Sequence, residues 1–189
     1  MSDTLVQIVS VFIAGVSALI SAFFAFRARR DTQIAQQAQL MALKRQYYSE
    51  LQKWADQVVD VLTAAIFLCK LQDSNKAHDG DVFYKWFSIR EKLSSLIDQG
   101  RFFIPNEEID IHGQSKPLAY RGFRPKHRNL LVESYDTLGK FDKESLNRNG
   151  DLHNQLWGKR KEFVSELQKI LDPYGREKEM NELQKGIKH

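Results

Sequence analysis

The longest uninterrupted apolar run lies at the start of the chain. From Leu5 to Phe26 it reads LVQIVSVFIAGVSALISAFFAF, 22 residues without a charge. As a helix rising about 1.5 Å per residue this run reaches about 33 Å, close to the hydrocarbon thickness of a bilayer. The pattern predicts a transmembrane helix over 5–26. A cleaved signal peptide would need a basic leader and a small-residue cleavage site, whereas only Asp3 and the terminal amine precede the run. A polar stretch over 27–39 follows, with Ile34 its one strongly apolar residue, and it predicts a solvated helical neck. Asp31 or Thr32 could cap a fresh helix there. Yet neither glycine nor proline occurs between Gly15 and Gly80, so nothing obliges the first helix to stop.

Beyond the neck the polarity acquires a period. Leu40, Leu43, Tyr47, Leu51, Trp54, Val58, Val61, Ala65 and Leu68 alternate spacings of three and four, which predicts a sustained helical stripe. The nine residues 61–69 are too short between Asp60 and Lys70 for a second span and read as a core helix. Membrane entry of 58–69 on activation is the alternative. A loop over 74–81 leads to a second helix carrying Phe83, Trp86, Phe87, Arg90, Leu93 and Ile97, with Asp81 as its cap and Gly100 as its stop. Residues 101–125 hold three of the four prolines and no period, and predict a long irregular loop. Pro125 suits the start of a third helix with Leu130, Leu131, Tyr135, Leu138 and Phe141. Asp151 would cap a fourth, carrying Leu152, Leu156, Phe163, Val164, Leu167 and Leu171 and stopped by Pro173. The expected fold is all-α: one N-terminal transmembrane helix, then a cytoplasmic bundle of about four helices over 40–172, then a charged tail over 173–189.

Composition and charge then set the compartment. Apolar residues at 42% and charged residues at 28% describe a folded chain. The net charge of +4 is too small to imply nucleic acid by itself. Cys69 is the only cysteine, which excludes an intramolecular disulfide and a cysteine metal cluster. Arg27, Arg29 and Arg30 follow the apolar run and no Lys or Arg precedes it, so the positive-inside rule puts the N-terminus outside and the body in the cytoplasm. In a bacterium this is the inner membrane.

Three groups of residues could carry function. Ser10, Ala14, Ala18 and Ala22 recur every four residues and form a small-residue ridge suited to self-association, a pattern that composition alone also produces. Lys116, Arg121, Arg124, Lys126 and Arg128, interleaved with Tyr120 and Phe123, form a basic loop with no acid from His112 to Leu131. Such a mixture suits phosphate, in lipid headgroups or in nucleic acid, unless acids of the first helix neutralise it. Arg148 and His153, with four residues between them, are similar to the motif of the all-α HEPN ribonucleases, an Arg and a His separated by four to six residues, and Arg121 with His127 fits with five between. In that chemistry an imidazole moves the ribose hydroxyl proton while a guanidinium stabilises the phosphorane. Twelve arginines and five histidines in a chain of this length give roughly one such match by chance.

No Walker loop, nucleophile elbow, zinc motif or dinucleotide fingerprint occurs, and Glu107, Glu108, Asp110 and His112 read as solvated. The sequence therefore predicts no cofactor, no metal, no evident small-molecule substrate and no enzyme. The layout of N-terminal anchor, Arg-rich flank, second apolar stretch at 58–69 and no catalytic motif resembles the small transmembrane effectors of bacterial anti-phage systems, notably those accompanying retron reverse transcriptases. That resemblance implies an antiviral, abortive-infection effector that acts on the inner membrane. It also implies a homo-oligomer, contact with membrane lipids, and restraint by a regulatory protein or a reverse transcriptase–nucleic acid complex. A membrane-tethered HEPN-like ribonuclease and a non-catalytic scaffold or sensor stalk are the alternatives.

Overall fold

The structure, a computed structural model, describes residues 2–72, 79–142, 146–172, 174–175, 177–178 and 182, without the side chains of 2–6, 71–72, 79–80 and 146–148. The described residues are mostly helical, with no strand. They form α1 (Ser2–Gln72), α2 (Asp79–Phe103), α3 (Lys126–Leu138) and α4 (Leu146–Leu171), plus a single 3-10 turn at Leu118–Tyr120. Two compact units result: residues 1–46 with 177–189, and residues 47–176.

In the first unit α1 has no break at the neck. Thr32 is not a cap: its hydroxyl donates back to the Ala28 carbonyl at 2.8 Å, the bond a threonine makes inside a helix. Asp31 is likewise mid-helix.

The second unit is built around the last part of α1. Leu51, Trp54, Val58 and Leu62 meet Leu93, Leu96 and Ile97 of α2, Leu130 and Leu131 of α3, and Phe163 and Leu167 of α4 in one core. A smaller cluster of Ala65, Ile66 and Cys69 with Leu138, Leu152 and Leu156 continues it, flanked by Trp86 and Phe141. Leu51, Val58, Leu62, Leu93, Leu131, Leu156 and Phe163 are completely buried, and each such side chain contributes about 1.5 to 3 kcal/mol. Most of the stretch 61–69 therefore belongs to this core, while Ala64 and Phe67, the latter 58% exposed, face outward.

Several boundaries differ from the sequence reading. The loop expected over 74–81 lies outside the described residues at 73–78, and Asp79–Asp81 already belong to α2, so Asp81 is not its cap. Gly100 does not end α2, which continues to Phe103. Its role is close packing: the Trp54 indole lies where a side chain would be, with Cζ2 only 2.7 Å from the position of an added Cβ. The same indole donates to the Leu96 carbonyl at 2.9 Å and meets Phe163 edge-on. Pro125 takes the N-cap position of α3, one residue before its first turn. Phe141 follows α3, beyond its end at Leu138. Helix α4 begins at Leu146, so Asp151 stands inside it and is exposed. Pro173 and most of the expected tail lie outside the described residues.

Candidate membrane segment and basic loop

Every described residue from Gln7 to Arg30 is exposed. Ile8, Val9, Val11, Phe12, Ile13, Val16, Leu19, Ile20, Phe23, Phe24 and Phe26 are between 40% and 73% exposed. At about 100° per residue these positions cover about 220° of the circumference. The remaining face carries the small side chains of Ser10, Ala14, Ser17, Ala18 and Ser21, with no charge from Leu5 to Phe26. The helix is long and apolar enough to cross a membrane, and none of the qualifying window is buried by the other described residues. Ser10, Ala14, Ala18 and Ala22 lie exposed along it, and the Ser10 hydroxyl bonds back to the Gln7 carbonyl at 2.9 Å, which removes its need for an outside partner. Arg27, Arg29 and Arg30 continue the same exposed helix.

The segment after α2 is irregular yet well tied. Glu107 and Phe123 exchange both backbone hydrogen bonds at 2.9 Å, an isolated antiparallel bridge that closes the loop. Inside it Gly122 donates to the His112 carbonyl at 2.8 Å, and Asn106 donates to the Arg121 carbonyl. From α2, Arg101 donates to the Ala119 carbonyl at 2.8 Å and lies over the Tyr120 ring at 4.2 Å. His112 stacks on Phe123 at 4.4 Å and approaches the Glu108 carboxylate at 3.3 Å.

The five cations of the basic loop divide into two kinds. Arg128 is 1% exposed, donating to the Ile104 carbonyl at 2.8 Å and to Asn106 Oδ1 at 2.7 Å. Burial pushes its pKa down to about 10, helped by the like charges of Arg101 and Arg124, so it stays charged at neutral pH. Lys126 bridges Glu162 at 2.7 Å and Glu166 at 3.2 Å on α4, and those hydrogen bonds hold its pKa above the ordinary lysine range. Both therefore serve the fold. Lys116 and Arg124 remain exposed, and half-buried Arg121 donates Nε to the Lys116 carbonyl at 2.9 Å. Around them Leu118, Tyr120 and Phe123 present apolar surface, as does Phe102 at 87% exposure. Phe102 and its neighbour Phe103 look alike in sequence, and only the fold decides which of the two turns inward.

Replacing Arg128 with Met keeps the volume but leaves the Ile104 carbonyl and Asn106 without their donor. At about 1 to 3 kcal/mol for each stranded polar group, a loss of about 3 kcal/mol is expected. The midpoint of urea unfolding, followed by tryptophan fluorescence, measures it.

Of the two Arg and His pairs, only Arg121 with His127 has both side chains among the described residues. His127 is 6% exposed, its Nε2 has no hydrogen-bond partner, and burial with the adjacent Arg128 charge drives its pKa down to about 4, against an opposing pull from Glu166. A histidine held neutral in this way lowers stability as the pH falls. Above about 6.5 both folded and unfolded forms are neutral; below it the unfolded chain takes up the proton first, until the folded form follows near 4. The expected result is a decline of the urea midpoint between pH 6.5 and 4 that becomes shallower in His127→Gln. Identical slopes for the two chains would contradict it.

The side chain of Arg148 lies outside the described residues. His153 is half-buried, with Nδ1 3.3 Å from Asn154 Oδ1. Asn149 between them is completely buried: its Nδ2 donates to the Asp142 carbonyl at 2.6 Å and its Oδ1 lies 3.3 Å from the Asp142 amide. That asparagine fastens the segment before α4 to the helix. No group of three or more His, Cys, Asp or Glu able to hold a metal occurs among the described residues. No family model matches the chain, and no curated protein or solved structure matches it either.

Proposed function

We propose that this chain is a single-span protein of the bacterial inner membrane, with its N-terminus outside and its helical body on the cytoplasmic side, where it acts as a non-enzymatic effector on the membrane itself. The observation that carries the proposal is the helix over Leu5–Phe26, without a charge along its length, whose described side chains from Gln7 onward are exposed and uncovered by the other described residues. In water that surface would be a severe liability; in lipid it is at rest, with every backbone group of the helix internally bonded. Arg27, Arg29 and Arg30, which follow the apolar run, favour this orientation by the charge rule.

The body supports a binding role better than a catalytic one. Lys116, Arg121 and Arg124 beside Leu118, Tyr120 and Phe123 combine cations for anionic headgroups with side chains that settle at the interface. The resemblance to anti-phage membrane effectors supplies the remainder of the proposal: a self-associating protein, with the Ser10 to Ala22 ridge as its contact, restrained by a partner complex until infection. No observation favours the ribonuclease alternative, since Asn149 in its motif is occupied as a structural clamp.

Controlled expression of the whole chain in a bacterial host tests the effector role. Growth arrest should coincide with a fall in membrane potential reported by a voltage-sensitive dye. Arrest with an intact potential, or harmless accumulation in the membrane, would contradict it.

A further inference from the structure

Helices α1 and α2 leave an open groove of about 500 Å³ between them, walled by Ala64, Phe67 and Leu68 on α1 and by Tyr84, Ser88 and Ile89 on α2. At its lip Phe67 is 58% exposed and Tyr84 74%. One surface aromatic is ordinary, but two large rings flanking an apolar groove mark a contact surface. The charges beside it are ordered too. Asp60 stands four residues before Ala64 and seven before Phe67, and therefore shares their exposed face of α1. Lys92 stands four residues after Ser88 and seven after Lys85, another wall of the groove, and shares their exposed face of α2. Trp54 bonds to Leu96 while Phe67 lies with Tyr84, so the helices run antiparallel and Asp60 and Lys92 fall at about one level. Neither of these two side chains has an ion-pair partner among the described residues.

We propose that this groove is the contact surface for a second copy of the chain, related to the first by a two-fold axis running along α1 and α2. Such a rotation lays α1 of one copy over α2 of the other at the same level. Phe67 then settles against Tyr84 of the partner subunit, and Asp60 meets Lys92 of the partner subunit. Because the contact is isologous, each of these pairs occurs twice. A different protein would have to bring an acid and a base of its own in the right order, whereas this surface is complementary to itself: acid on the α1 wall, base on the α2 wall, apolar rings between. The direction of the axis rests on the single-span reading. Copies held in one bilayer enter it with the same polarity, so their α1 helices must point the same way, and an axis across the helices would reverse one of them. The groove lies in the 47–176 unit and is a contact separate from the Ser10 to Ala22 ridge.

Light scattering on the full chain in dodecyl maltoside micelles, over a dilution series, counts the chains in each particle and tests the proposal. The parent chain should be a dimer. Phe67→Ala removes the ring that each copy inserts and should weaken the dimer about tenfold or more. Asp60→Lys and Lys92→Asp each set like charges against one another twice across the axis, and each should weaken it about tenfold. The double variant carrying both reversals should dimerise as the parent does. All three positions are exposed, so the helical circular dichroism of every variant should match that of the parent. A monomeric parent chain, a dimer indifferent to Phe67→Ala, or a double variant as weak as either single reversal would overturn the proposal. None of these outcomes bears on whether Leu5 to Phe26 lies in lipid, which membrane extraction reads separately.

Discussion

A chain carrying Asp in place of both Ile13 and Ile20 is expected to leave the membrane fraction. Eleven large apolar side chains are exposed between Ile8 and Phe26, and at about 0.3 to 0.6 kcal/mol each they favour insertion by about 3 to 7 kcal/mol in all. Two aspartates near the centre of the span cost about 5 to 7 kcal/mol on the same scale and remove two isoleucines from the favourable side. The balance reverses, and fractionation should find the double variant in the soluble or aggregated material, with toxicity lost. Ile13→Leu with Ile20→Leu preserves the apolar surface and should behave as the parent. If the aspartate variant stayed in the membrane, the helix would be held there by a partner instead of by lipid.

The second large effect belongs to Gly122. Its φ of +75° lies in the left-handed region, where an alanine costs about 1 to 2 kcal/mol in backbone strain. An added Cβ would also press into the Glu107 carbonyl, which is half of the bridge that closes the loop. Gly122→Ala cannot satisfy both, so the Glu107 and Phe123 bonds should open, with a local loss of about 3 kcal/mol or more. Gly113 supplies the internal comparison: its φ is +74°, but the nearest atom to an added Cβ is Lys116 Cδ at 3.4 Å, the end of a flexible chain. Gly113→Ala should show the backbone strain alone. Hydrogen exchange across 104–125 separates the two, with faster exchange in Gly122→Ala than in Gly113→Ala. Equal rates would mean that the bridge does not order the loop.

The sequence resolved helices better than it resolved what covers them. The alternating stripe on α1 is genuine from Leu51 to Leu68, where Leu51, Trp54, Val58, Val61, Ala65 and Leu68 are all buried. The same spacing at Leu40, Leu43 and Tyr47 leaves those residues 40% to 57% exposed, because periodicity marks a face without supplying a neighbour for it. Asp151 and Gly100 misled for a related reason. A cap residue and a glycine both have uses inside a helix, and only the presence of the Trp54 indole explains why position 100 has no side chain.

The basic loop shows the same limit in charge. Five cations look alike in sequence, yet Arg128 is interior. A signal existed: 128, 131, 135 and 138 follow the spacing of the buried stripe of α3, so an arginine at its head points inward with Leu131 and Leu138. Asn149 repeats the pattern, three residues before buried Leu152 and seven before buried Leu156. No such pattern reveals that Lys126 meets Glu162 and Glu166, which are distant in the chain and joined only by the packing of α3 on α4.

The proposed function requires Leu5 to Phe26 to lie in lipid. Alkaline carbonate extraction of membranes containing the unmodified chain tests it most directly, since high pH strips proteins held by charge or by partners and leaves spanning helices in place. The account predicts that the chain stays with the membrane pellet, and its release into the supernatant would contradict it.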